Sequence, residues 1–460
     1  MPRHRGARRR RPGARTGAGG RQTGRRSRTG FRLCARHQSK TAGAAPRGAQ
    51  YLAYRLGRRA MTQVRVFVRG VGAITALGVN WPASLQALAA GRSAVKQVAG
   101  FDVTGFPSTA GAEIHGFTHT GDRRLALARV AAREAWQAAG LDVAPDRLGI
   151  FLGAESGRAP FATLHELTRG AGGGARFDHA QFGVKAAALV AEFDASIISP
   201  AAVTSALARE YGAHGPAVTI SLACASGASA IAEAARAIRL GVCDVALCGG
   251  VGADVDPMML AGFGRVGALS ARGVSCPFDV RRDGFVVGEG AAIVVLSRER
   301  GNATVELAGE GRSLDAHHLT APDPQGDGAA RAMRTALAAA GTDAVGYIQA
   351  HGTSTPLNDA VEALALRRVL GRSLDAAHVS SVKGGLGHWI AGAGALGFLC
   401  AHAALEQGII LPTANLTQPD PACALPHVLD HALHANVDAA LVNAFAFGGA
   451  NCSLLARRCA

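Results

Sequence analysis

Ala217–Gly241 reads AVTISLACASGASAIAEAARAIRLG, and His378–Gly408 reads HVSSVKGGLGHWIAGAGALGFLCAHAALEQG. Each stretch runs from a β-type segment through a turn of small residues into an apolar helix that stops at glycine. Neither helix offers a convincing polar face, so each is expected to be buried. Two such units in one chain predict two similar halves sharing one core. From residue 62 onward, short β-type runs alternate with helical patterns, which predicts an α/β fold. The strand candidates are Val64–Gly70, Leu148–Ala154, Ala217–Ala223, Asp244–Gly250, Ala291–Ser297, Val345–Gly352, His378–Gly384 and Ala439–Phe447. The helix candidates are Asp122–Gly140, Gly227–Gly241, Asp327–Gly341 and Asn358–Gly371, all ending in glycine.

The bulk composition fits this reading. Apolar residues make up 48% of the 460, aromatics only 5%, and there are 60 glycines, so the core is one of small aliphatic residues in close backbone contact. The net charge of +16 suggests a nucleic-acid binder until it is located. Residues 1–60 hold 17 Arg and one Lys with no acid, a charge of +18, which leaves −2 on the remaining 400 residues. The basic tail is expected to be disordered or not translated, with Met61 the true start. A transit peptide and a nucleic-acid arm are the alternatives. No aromatic residues interleave the arginines as in a single-strand binding platform, and the body carries no nucleic-acid signal.

Nine cysteines stand singly, without CxxC or zinc-type Cys/His spacing, so no metal is expected and a reducing, cytoplasmic setting is. The apolar run Trp389–Leu405, interrupted by glycines and His402, is short for a membrane span and reads as a buried helix.

Four places combine chemistry-bearing residues with turns. Cys224 follows a strand and precedes a helix among small residues, where the helix dipole favours thiolate. The bland alternative is a buried cysteine acting as a small hydrophobe. His351 ends a strand before Gly-Thr-Ser-Thr-Pro, a setting suited to proton handling, while Asn358 and Asp359 read as helix caps. Lys383 and His388 lie five positions apart in VKGGLGHWIAGAG (Val382–Gly394), otherwise nearly free of polar side chains. Asn443–Leu455 reads as strand, Phe-Gly-Gly turn and return strand, whose backbone N–H groups are able to form an oxyanion site.

Taken together, these segments resemble the β-ketoacyl-acyl-carrier-protein synthases, the elongating Cys-His-His condensing enzymes of the thiolase superfamily. The resemblance spans about residues 64–456. It is carried by ACASG around Cys224, PFDVRRDGFVVGEGAA (Pro277–Ala292), DAHHLTAPDPQGDGAARAM (Asp315–Met333), HGTSTPLND from His351, the Lys and His of KGGLGH, LPTANLTQPDP and NAFAFGGAN.

The resemblance implies a thiolase-like fold of two pseudo-repeated βαβαβαββ halves in five layers, α-β-α-β-α. The halves are expected at 61–310, bearing Cys224, and 311–460, bearing His351, Lys383 and His388. It implies a decarboxylating Claisen condensation of an acyl thioester on Cys224 with malonyl-acyl carrier protein, in fatty acid or specialised polyketide and polyene synthesis. The backbone N–H groups of Cys224 and Phe447 would hold one oxyanion, and His351 and His388 the malonyl oxygen. Lys383 would support the histidines and Phe447 would gate the acyl pocket. Thr353 and Thr355 would bind the pantetheine arm, with Phe263, His318, Gly448 and Gly449 near the pocket.

No cofactor is implied beyond the phosphopantetheine of the acyl carrier protein. That partner would dock on basic residues such as Arg265. A homodimer is implied, or a heterodimer with a related subunit. Departures from the family pattern are Gly384 and Leu386 where hydroxyl residues are common, Gly397 for a glutamate, and Ala446 for the first glycine of the gate turn. The alternatives are a malonyl decarboxylase or a partner subunit of the chain-length-factor kind, although the latter typically lacks the nucleophile. A thiolase would need a second catalytic cysteine, and Cys452 in ANCSLL does not fit. An initiating type III synthase would have asparagine at the second histidine position.

Overall fold

The computed structural model describes residues 64–172, 174–189 and 194–459. The expectations for residues 1–60 and for a start at Met61 lie outside them.

Ten strands follow one hydrogen-bonded path that divides into two halves of identical order. In the first half, numbering strands along the chain, the five are Phe67–Thr75, Leu148–Gly153, Ala217–Ile220, Val245–Ala253 and Val287–Ser297. In the second they are Val305–Leu314, Tyr347–Gln349, His378–Ser380, Ala439–Phe445 and Ala450–Arg458. Both halves arrange their own strands in the order 3-2-4-5-1. In both, the 3-2 and 2-4 neighbours are parallel and the 4-5 and 5-1 neighbours antiparallel. The two first strands meet at the single pair Phe67–Glu306. The weak sequence echo therefore reflects a complete duplication of topology.

The helices Ser226–Arg239 and Ala393–Gln407 follow the third strand of each half, pack on each other, and each touches strands of both halves. They form the middle layer. The helices Arg123–Ala139 and Ala201–Glu210 cover the outer face of the first half, and Asp327–Ala340 covers that of the second with Pro356–Leu370 packed on it. The five-layer expectation holds. Leu396, Phe398, Leu399 and Leu405 of the second central helix are all buried, each contributing roughly 2 kcal/mol. The first central helix does carry a narrow polar stripe, Glu233, Arg236 and Arg239, near its end, where Arg239 pairs with Glu310.

Small residues set the separation of these two helices. A Cβ on Gly394 would lie 2.8 Å from both the Cβ and N of Ala228, and one on Gly227 would lie 2.8 Å from the Ala391 carbonyl oxygen. The expected glycine stops are also present: Gly140 and Gly341 close their helices in the left-handed conformation. Among the described residues, no helix is long and apolar enough to cross a membrane.

Because Gly394 sits against backbone that has nowhere to move, Gly394→Val is expected to destabilise the protein by about 3 kcal/mol. Denaturant unfolding with a fixed m-value would measure it. A loss under about 0.5 kcal/mol, the range of an ordinary surface change, would mean the helices separate freely.

Candidate active site

Equivalent turns of the two halves meet at the centre of the molecule. Cys224 lies in the 3₁₀ turn Ala223–Ala225 after the third strand of the first half. Lys383 and His388 lie in the corresponding turn of the second half, ahead of the other central helix. His351 follows the second strand of that half, and Phe447 follows its fourth. The sulfur of Cys224 and ring nitrogens of His351 and His388 all lie within 4.8 Å of one another.

His388 Nε2 is 3.0 Å from Cys224 Sγ, and the Ile390 N–H donates to His388 Nδ1 at 3.3 Å. With Nδ1 accepting, a neutral ring carries its proton on Nε2, aimed at the reacting centre. Lys383 Nζ donates to the His351 carbonyl and lies 3.4 Å from His351 Nδ1, which fixes the same tautomer there. Burial, then the Lys383 charge, holds both histidines well below their usual pKa, so both are neutral. Lys383 itself is pushed down to about 8 by burial, opposed by Glu362.

The thiol departs from expectation. Placement at a helix start was read as favouring thiolate, but burial pushes Cys224 up to about 12. Lys383 and the backbone N–H groups of Phe447 and Cys224 pull the other way without overcoming it. Desolvation outweighs the dipole because Cys224 is buried. Those two N–H groups, His388 Nε2 at 3.0 Å and a ring nitrogen of His351 within 4.8 Å surround the sulfur with donors.

Ala223, just before Cys224, has φ +45, a left-handed conformation costing a non-glycine residue about 1–2 kcal/mol. In the Phe447 turn, Ala446 is extended at φ −124, and the positive-φ positions are Gly448 and Gly449. Alanine at 446 thus carries no strain in this conformation.

A cavity of about 310 Å³ is lined by Cys224, His351, His388 and Phe447 together with Thr353, Thr355, Asn358 and Val266. Phe263 stands 5.2 Å from Phe285 and 6.5 Å from Phe447 between ring centres. His318 lies outside the lining. Its Nδ1 accepts from the Thr320 and Ala321 N–H groups and shapes the loop that supplies the lining residues Thr320 to Pro322. That loop is tied to the gate by the Gly448 N–H, which donates to the Leu319 carbonyl at 2.7 Å. Arg265 is exposed beside the lining residue Val266.

Neither Asn358 nor Asp359 is the helix cap; Thr355 caps the helix, its side chain accepting from the Asn358 N–H. Asp359 is buried and accepts from the N–H groups of Phe278, Thr353 and Ser354 at 2.8–3.1 Å. Three residues on, Glu362 accepts from the N–H groups of His351 and Gly352, each at 2.8 Å, and from Asn443 Nδ2 at 3.1 Å. Burial raises its carboxyl to about 7. These acids hold the His351 loop in place, and sequence reasoning missed Glu362. Its signal was available: a single acid inside the apolar run Ala360–Leu366, spaced from Asp359 to share a helix face.

The departures are accommodated sterically. Leu386 is buried in the central apolar core, and a Cβ on Gly397 would lie 3.2 Å from Gln349 Cγ, so that glutamine occupies the neighbouring space.

Residues 63–301 match the family described as Beta-ketoacyl synthase, N-terminal domain, and residues 304–417 match Beta-ketoacyl synthase, C-terminal domain. The chain belongs to the β-ketoacyl synthase family, the condensing acyltransferases. It is 34% identical to a 3-oxoacyl-[acyl-carrier-protein] synthase 2 of Coxiella burnetii over 86% of this chain and 99% of that protein. It is 35% identical to the tetracenomycin polyketide synthase ketoacyl synthase alpha subunit of Streptomyces glaucescens, over 84% and 95%. The solved ishigamide ketosynthase/chain length factor is 33% identical and superposes with a TM-score of 0.75, covering 86% of this chain and 99% of that one.

Glu362→Ala would leave the buried N–H groups of His351 and Gly352 without acceptors. We expect a loss of about 3 kcal/mol or more in denaturant unfolding. Wild-type stability would show that the loop is held by other means.

Proposed function

We propose that this chain condenses an acyl group, carried as a thioester on Cys224, with the two-carbon unit of malonyl-acyl carrier protein, releasing CO2 and 3-oxoacyl-acyl carrier protein. The observation that carries the reading is the gathering of a ring nitrogen of His351, His388 Nε2 and the backbone N–H groups of Cys224 and Phe447 around the Cys224 sulfur.

In the first step the thiol of Cys224 attacks the acyl thioester. The bond to the carrier's sulfur breaks, and the proton lost by Cys224 ends on the departing thiol. The developing oxyanion is held by the N–H groups of Cys224 and Phe447. The malonyl thioester then enters the cavity, its pantetheine arm hydrogen-bonding Thr353 and Thr355. Loss of CO2 leaves an enolate whose oxygen is held by His351 and His388. Its carbon attacks the acyl-Cys224 carbonyl, and the second tetrahedral intermediate expels Cys224 as a thiolate, which takes up one proton from solvent to regenerate the thiol. Lys383 orients His351 and supplies positive charge. Phe447, with Phe263 behind it and Gly448 and Gly449 allowing its turn, separates the acyl site from the malonyl site. The chain brings no cofactor of its own, since the arm belongs to the carrier.

Arg265, at the mouth, suits an acidic carrier. The edge strand Ala217–Ile220 leads directly into the nucleophile turn and is partly exposed, which supports pairing with a second copy or a related subunit. The two halves are proposed to divide between Ser297 and Val305 rather than at 310, since the strand Val305–Leu314 opens the second half. Cys224 beside His388 favours the condensing role over a partner subunit without a nucleophile.

In Cys224→Ala, chain extension is expected to vanish while malonyl decarboxylation persists; in His388→Ala, decarboxylation falls by 10²-fold or more, about the effect of one oxyanion donor. Normal extension by Cys224→Ala would overturn the scheme. Cys224 alkylation by iodoacetamide should rise about tenfold per pH unit from 6 to 8, because the thiol is protonated throughout. The slope should then flatten as Lys383, at about 8, loses its charge. A plateau already at pH 6 would show a resting thiolate.

A further inference from the structure

The duplication places a second residue where His351 stands. His351 lies two residues beyond the second strand of its half, Tyr347–Gln349, and reaches the turn after the third strand through Lys383. In the first half the second strand is Leu148–Gly153, and the residue two beyond it is Glu155. Its carboxylate likewise reaches the turn after the third strand, which here bears Cys224. Oε1 accepts from the Ala223 N–H at 2.9 Å and Oε2 accepts from Ser221 Oγ at 2.7 Å. Ser226 Oγ, 3.2 Å from Oε1, accepts from the Leu222 N–H at 2.8 Å and donates to the Ala223 carbonyl at 2.6 Å. The backbone of Glu155 is held in turn by buried Arg124, which donates to its carbonyl and to that of Ile197 and pairs with Asp122.

We infer that Glu155 is a positioning residue for the nucleophile, its carboxylate bracing the left-handed Ala223 so that Cys224 meets the donors around it. The inference rests on Cys224 being the acyl acceptor. Ala223 is a non-glycine residue at positive φ, a conformation that persists only where its surroundings impose it. Glu155 supplies the acceptor for the N–H of that residue and bonds the turn ahead of it through Ser221, while Ser226 ties Leu222 to the Ala223 carbonyl beyond it. It is also the negative charge facing the sulfur, opposed by Lys383 and accompanied by neutral His351 and His388. Beyond it lie Arg124 with Asp122, and Asp254 with Arg158. Removing the Glu155 charge while keeping its acceptor oxygen therefore makes thiolate easier to form.

Two variants of the full chain separate bracing from charge. In Glu155→Ala, transfer from acyl-acyl carrier protein to Cys224 is expected to fall on the order of tenfold, while malonyl decarboxylation by the histidines stays at the wild-type rate. Glu155→Gln, retaining an acceptor for the Ala223 N–H, is expected to restore transfer. Its Cys224 should react faster with iodoacetamide than wild type at pH 7. Equal loss of transfer and decarboxylation in Glu155→Ala would indicate general damage and overturn the inference. So would wild-type transfer in Glu155→Ala, failure of Glu155→Gln to restore it, or unchanged alkylation in Glu155→Gln. If wild-type Cys224 is alkylated but never acylated, the condensation reading fails, and the alkylation rates alone decide whether Glu155 acts on the thiol.

Discussion

The close contact of two glycine-rich helices is what the rest of this molecule depends on. Gly227 and Gly394 let Ser226–Arg239 and Ala393–Gln407 approach until backbone faces side-chain Cβ, with no bulky residue between them. That separation fixes the distance between the turns ahead of the helices. One turn carries Cys224 and the other His388, so a spacing of 3.0 Å between Nε2 and Sγ is inherited from helix packing. A close-packed core tolerates little slack, which is why a site made by two halves holds its geometry.

The same enclosure sets the protonation states. Burying Cys224, His351, His388 and Lys383 together disfavours every charge among them. The histidines respond by being neutral donors, Lys383 by having a pKa near 8, and the thiol by keeping its proton. A neutral donor array costs nothing in the resting state and becomes most favourable when an oxyanion forms between its members. Carboxylates are kept one step away: Asp359 and Glu362 hold the His351 loop, and Glu155 holds the Ala223 turn. Each bonds backbone N–H groups and none reaches the reacting atoms directly.

Much of this was legible in the residue order. The glycine stops, the apolar central helices and the order of Cys224, His351, Lys383 and His388 were all visible, because small-residue turns and helix ends leave local signatures. Strand Val305–Leu314 was not visible as a strand. Its inward Glu306 is buried only because Arg65 and Arg457 pair with it, and both come from other strands or their flanks. Asp359 was read as a cap since an acid near a helix start has that local use, whereas its actual partners include Phe278, far away in sequence. Glu155 gave no signal at all, standing in a polar loop whose relation to Cys224 exists only once strands two and three pair.

Taken alone, the sequence determined the class of fold, the family and the four residues that the fold brings together around Cys224, since each rests on patterns written within a few neighbouring positions. The tertiary structure decided the rest. It placed two turns from separate halves within bonding distance, chose the histidine tautomers through the Ile390 N–H and Lys383, and turned an expected thiolate into a thiol. These depend on long-range burial, and desolvation of a charge is a property of everything packed around it rather than of the residues beside it in the chain.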